Sequence, residues 1–337
     1  MFCIPLCAEL HEGAAELRKY QGKPAPTING KTKVSITSLM AAMAVDATSF
    51  LNEKCLIVLD AYFSVGPVFC ILKQAIGAGG ERLIHIVTRA KSNVVAYEEP
   101  PPKNGKRGRP RRYGCKHQLG RMFEEAQDCF KSTAIELYGQ RKTISYLCLD
   151  LIWKPVQEKV RFVLVRDGKE QFILMCSDLT MAAPDVILAY GFRFKIEVNL
   201  KVLKYLTGAF FYHFWTNAWP KLNKKSPGVG TPAAILDEDF QRLIGQTMNA
   251  IEGFVNFGCI ATGILQIIAL NLNQTIWDRY HGWLRTVTSE IPSEEVVRSV
   301  IQEEYFHNFR AFKNSAIYRI IMSKSKKADN DAMPMAA

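Results

Sequence analysis

The sequence predicts an α/β fold, and three observations carry that reading. CLIVLD, VFCILKQAIGAGG and RLIHIVT read as strand, helix and strand, the spacing of a βαβ unit. TISYLCLDLIW, VRFVLVRDG and EQFILMCSD are successive apolar runs of strand length and read as an antiparallel meander, with Asp-Gly as the turn in the second gap. From Phe210 onward the pattern is mostly helical. The 337 residues allow two modest domains, or one domain with a large insertion.

Composition narrows the class. With 48% hydrophobic and 22% charged residues, the chain resembles neither a disordered nor a fibrous protein. Its net charge of +11 points to a polyanionic partner, nucleic acid ahead of a membrane surface. The opening MFCIPLCAELHEG lacks the basic start and long apolar run of a secretory signal. The most apolar stretch, Phe254 to Leu272, holds Asn256, Gln266, Asn271 and two glycines, and reads as a buried helix rather than a membrane span. Nine cysteines are scattered without a C-x-x-C pair, which predicts free thiols in a reducing cytoplasm. Cys115 and His117 are too isolated to suggest zinc.

In chain order, Cys3 to Glu9 is an apolar run of strand length, and Pro24 to Lys33 is loop-like. Ser38 is placed to cap a helix through LMAAMAVDATSFL. Cys55 to Asp60 reads as a buried parallel strand ending in a carboxylate. The helix after it ends in glycines, and Arg82 to Thr88 is the next strand. Glu98 to Gly114 is a Pro/Gly/basic segment that cannot pack a core. A helical stretch near Gln118 to Phe130, the meander, and a helix from about Asp185 follow. Asp237 and Glu238 precede a helix around Phe240 and are read as capping groups, and the aromatics of His213 to Trp215 as packing groups. The helical region Phe240 to Ile321 is expected to cover the core, with room for contacts to DNA or a second protomer.

Tyr190 to Lys204 carries the functional argument. On one continuous helix, at about 100° per residue, Tyr190, Arg193, Glu197 and Lys204 fall within roughly 60° of one another. Val198, Val202 and Leu206 then lie on the opposite side, placed to pack on a sheet. By spacing alone this is also what a solvated face with an Arg193–Glu197 pair looks like. Asp60 adds a second carboxylate at the carboxyl end of a parallel strand, where α/β sheets place their site groups.

The spacing Tyr-x2-Arg-x3-Glu-x6-Lys resembles the Y-R-E-K signature of DDE-type transposases of bacterial insertion sequences. The words CLIVLDAYFS, LIHIVTRAKSN, KRGRPRRYG and YGFRFKIEVNLKVLKYLTGAFFYHFW are similar to that group too, over roughly Ile4 to Trp219. The resemblance implies an RNase H-like core, incomplete at its N-terminus, with an inserted β-rich subdomain and a C-terminal helical region. Its segments would be 1–90 (partial core), 91–184 (insertion, with the basic linker 98–114), 185–220 (catalytic helix), 221–322 (helical region) and 323–337 (disordered tail). It implies Asp60 and Glu197 as the second and third acids of a magnesium-binding triad, with Tyr190, Arg193 and Lys204 contacting DNA. Thr88, Arg89 and Lys91 match a region near the bound DNA end, and Arg89 is taken as a contact. The implied partners are duplex DNA and a second copy in a synaptic complex, in the bacterial cytoplasm, with no membrane.

The pattern is broken in one place. The first aspartate of the triad belongs on a central strand, and no aspartate stands in such a position. Asp46 falls in an expected helix and Glu9 has no counterpart in the pattern. The two-metal site is therefore expected to be incomplete, and this chain to be a truncated or decayed transposase without activity, or a DNA-binding remnant that competes with an active one. KRGRPRR also resembles an AT-hook, in which Arg107 and Arg109 would enter a narrow minor groove; a solvated basic loop is the other reading.

Overall fold

The computed structural model describes residues 3–10, 22, 35–102, 111–137, 139–218, 237–284 and 290–324. The chain divides into two compact units. The larger comprises residues 9–198 and 213–253, the smaller residues 1–8, 199–212 and 254–337.

The larger unit is a mixed sheet covered by helices. Helix α1 (Ile36–Leu51) leads into strand β1 (Cys55–Leu59), a 3₁₀ turn (Ala61–Phe63), helix α2 (Gly66–Leu72) and strand β2 (Ile84–Arg89). β1 and β2 pair in parallel, from Cys55 beside Ile84 to Leu59 beside Thr88, so the predicted βαβ unit is present. Short strands β3 (Val95–Tyr97) and β4 (Lys116–Gln118), helix α3 (Met122–Glu125) and strands β5 (Lys131–Leu137), β6 (Gln140–Trp153), β7 (Glu158–Asp167) and β8 (Glu170–Cys176) follow. The strand order is β1-β2-β8-β7-β6-β3-β4, with β5 also paired to β6.

The meander of β6, β7 and β8 is antiparallel as expected, and Gly168 (φ 60°) supplies the left-handed backbone of the predicted Asp-Gly turn. It does not stand apart as an inserted layer, however. β8 pairs directly with β2, through Thr88 opposite Met175, so the β-rich stretch and the βαβ unit share one sheet. Its central strands are apolar on both faces because both faces are covered. Val160, Phe162 and Leu164 of β7 join the cluster under α1 and α2, while Val163 and Val165 join the cluster under helix α4 (Ala183–Gly191).

Several expectations need correction. Ser35, not Ser38, caps α1, because its hydroxyl accepts from the Ser38 amide. β1 is half-exposed rather than buried: it ends the strand order, and among the described residues β2 is its only strand neighbour. Cys3 to Leu10 has no strand. Its backbone is satisfied by side chains instead, Asn256 donating to the Ala8 carbonyl and accepting from the Ala8 amide, and Gln266 donating to the Cys3 carbonyl. Trp215, expected in packing, is 82% exposed.

The C-terminal region is helical, as predicted: α6 (Glu238–Asn271), α7 (Asn273–Asp278), α8 (Glu294–His307) and α9 (Ala316–Lys324). The Asp237 carboxylate accepts from the Asp239 and Phe240 amides, the capping role expected of it. In the smaller unit Leu265 and Ala269 pack with Ile276 of α7 and Val296, Val297 and Val300 of α8. Among the described residues α6 is long and apolar enough to cross a membrane, and 44% of its most apolar window is buried.

Candidate functional site

The predicted single helix through Tyr190, Arg193, Glu197 and Lys204 is in fact three segments. α4 ends at Gly191, α5 spans Phe194–Lys201, and a π-helical turn runs over Val202–Leu206. Gly191 weakens helix continuation, and a side chain there would meet Leu137 Cδ2 at 2.8 Å. Bonds of i to i+3 type then carry the chain across, from Phe192 to Ala189 and from Arg193 to Tyr190. Angles drawn on one ideal helix therefore do not hold across the break. Val198, expected to pack on the sheet, is 42% exposed, and Asn199 and Leu203 are buried in this segment instead.

Four of the predicted site residues nevertheless come together in the larger unit. Asp60 caps the 3₁₀ turn after β1, its Oδ1 accepting from the Tyr62 amide at 2.8 Å. Thr88, fully buried at the end of β2, donates its hydroxyl to the Asp60 carbonyl at 2.7 Å, which ties the ends of the parallel pair together. Arg193 donates Nη2 to Glu197 Oε1 at 2.9 Å. Tyr190, half-buried at the end of α4, joins them through its charge environment. Burial raises its phenol pKa and Asp60 acts in the same sense, against Arg193 and Arg89, which favour the ionised form. The Arg193 guanidinium is opposed by burial, yet Glu197, Tyr190 and Asp60 outweigh that and hold its pKa above the ordinary value. Asp60 thus acts on both Tyr190 and Arg193.

Arg89 lies exposed past Thr88, its guanidinium 5.4 Å from the centre of the Phe172 ring. Phe172 in turn lies 6.4 Å from the Tyr190 ring. Sequence reasoning missed Phe172, since an apolar residue in the third meander strand looks like core; only the pairing of β2 with β8 reveals its place. Lys204 belongs to the smaller unit, in the π-helical turn, with Nζ 5.0 Å from the centre of the Tyr205 ring. Arg107 and Arg109 lie outside the described residues.

The arrangement offers a cationic face beside two carboxylates. Each carboxylate has one oxygen engaged by the chain, by Tyr62 in one case and Arg193 in the other. Among the described residues no group of three His, Cys, Asp or Glu is placed to hold a metal ion, so the donor set does not fit a two-metal centre. No known family model matches the chain, and no curated protein matches it in sequence.

Proposed function

We propose that this chain is a DNA-binding protein of the DDE transposase type, with an RNase H-like core and an incomplete catalytic centre. The observation that carries the reading is the placement of Asp60 at the carboxyl end of a parallel strand pair, tied to Thr88, in the same unit as the Arg193-bound Glu197. It is supported by the linked sequence words around both carboxylates and by the net charge of +11. Phosphodiester chemistry needs little covalent help from a protein; it needs positioned cations and carboxylate-held metal. Arg193 and Arg89 would hold backbone phosphates, with Tyr190 as a further contact, and Lys204 is taken separately as a DNA contact of the smaller unit. Asp60 and Glu197 correspond by resemblance to two of the three acids that hold magnesium in such enzymes. With two carboxylates in place of three, hydrolysis and strand transfer are not expected of this chain. The partners in this reading are duplex DNA in the bacterial cytoplasm and a second copy across paired ends.

The test is binding of a labelled 30-base-pair duplex followed by fluorescence anisotropy, beside a plasmid-nicking assay in magnesium. Binding weakened by Arg193→Ala, with no nicking, is the expected result. Nicking that disappears in Asp60→Asn would overturn the inactivity, and failure to bind any duplex would overturn the whole reading.

A further inference from the structure

We infer a second DNA-backbone contact, a cationic groove flanked by Lys91 and Lys154; the inference rests on the DNA-binding reading above. Two turns distant in sequence build it. The chain leaves β2 past Arg89 and turns at Lys91 to Val94, closed by the Val94 amide on the Lys91 carbonyl at 3.0 Å. The β6–β7 turn, Lys154 to Gln157, folds back on the Trp153 carbonyl, which accepts from the Val156 and Gln157 amides. That turn is pressed against the start of α2: a side chain at Gly66 would meet Pro155 Cβ at 2.9 Å and its carbonyl oxygen at 3.1 Å. Lys91 and Lys154 therefore stand on hydrogen-bonded turns, and both line a cavity of about 410 Å³.

The lining of this cavity is chemically one-sided. Val65, Val95 and Pro155 give it apolar surface, Asn93 and Tyr97 add polar groups, and no carboxylate contributes. Another cavity, about 280 Å³, also holds lysines, but there Lys73 pairs with Glu158 within the lining and Lys159 pairs with Glu99. No ion pair is formed by Lys91 or Lys154 among the described residues. Cations without a carboxylate partner beside apolar side chains suit a sugar-phosphate chain, whose phosphates carry the charge and whose deoxyribose carbons are weakly polar. The groove is also linked to the Asp60 turn. Met175 is the cross-strand neighbour of Thr88, which bonds Asp60, and Ser64, four residues past Asp60, lines the cavity.

Salt dependence reads this out directly, because each phosphate contact adds about one to the slope of log Kd against log salt. The full chain is titrated with the 30-base-pair duplex across a potassium chloride series. Lys91→Gln with Lys154→Gln should lower the slope by about two, with an unchanged circular dichroism melt. Lys54→Gln with Lys131→Gln makes the same charge change elsewhere and should alter the slope by well under one. Inorganic phosphate at constant ionic strength should displace no DNA. If the wild type binds and Arg193→Ala weakens it, but the groove pair behaves like the control pair, the groove is overturned alone. Displacement by micromolar phosphate would make it a small-anion site and overturn it as well. If the wild type binds no duplex, both readings fall together.

Discussion

Arg193 connects more of the candidate site than any other side chain, bonding Glu197 and lowering the pKa of the phenol that burial and Asp60 raise. The signs give a direct prediction. Arg193→Ala should move the Tyr190 pKa further up, and Asp60→Asn should move it down, read from the ¹³Cζ tyrosine resonance that Tyr190→Phe removes. His85 gives a second residue-scale test. Burial lowers its pKa, with Arg82 and Lys54 in the same sense and Asp178 opposing them. A folded-state pKa below the unfolded value of about 6.5 means the unfolded chain takes up protons first. Stability is therefore fully present above pH about 6.5 and is lost as pH falls through the lower, folded-state value. His85→Gln should flatten that acid limb of the thermal melting profile; an unchanged limb would assign the acid loss to other groups.

At the scale of elements, β7 stands in the middle of the strand order, and Phe162 is among its fully buried side chains. Phe162→Ala should cost about 3–5 kcal/mol in urea unfolding. In the smaller unit, Asn256→Ala removes both hydrogen bonds to Ala8 and should cost about 1–3 kcal/mol. The parallel pair and the meander were legible in the sequence because continuous apolar runs of strand length have few other uses. The joining of the two into one sheet was not, since β8 meets β2 across some eighty intervening residues and no local pattern encodes that pairing. The Arg193–Glu197 pair was legible from i,i+4 spacing, whereas the break at Gly191 reflects the close approach of Leu137 on a distant strand.

For the molecule as a whole, all nine cysteines are free. Cys7, Cys70, Cys115 and Cys129 are exposed and should react with a thiol reagent in the native state. Cys176 is buried, its thiol pushed up to about 11, and with Cys259 should react only on unfolding. Early modification of those two would show that the packing of β8 and α6 is not as described. Thiol state and net charge were readable from composition, while the membership of Tyr190 and Lys204 in different compact units was not. The position of β1 at the end of the strand order has one more consequence. In deuterium oxide, the amides of β1 that face away from β2 have no strand acceptor among the described residues and should exchange on the timescale of a loop, while those of β7 persist longest. A ligand or chain that paired with this edge would announce itself by slowing alternate residues of Cys55 to Leu59 and no others.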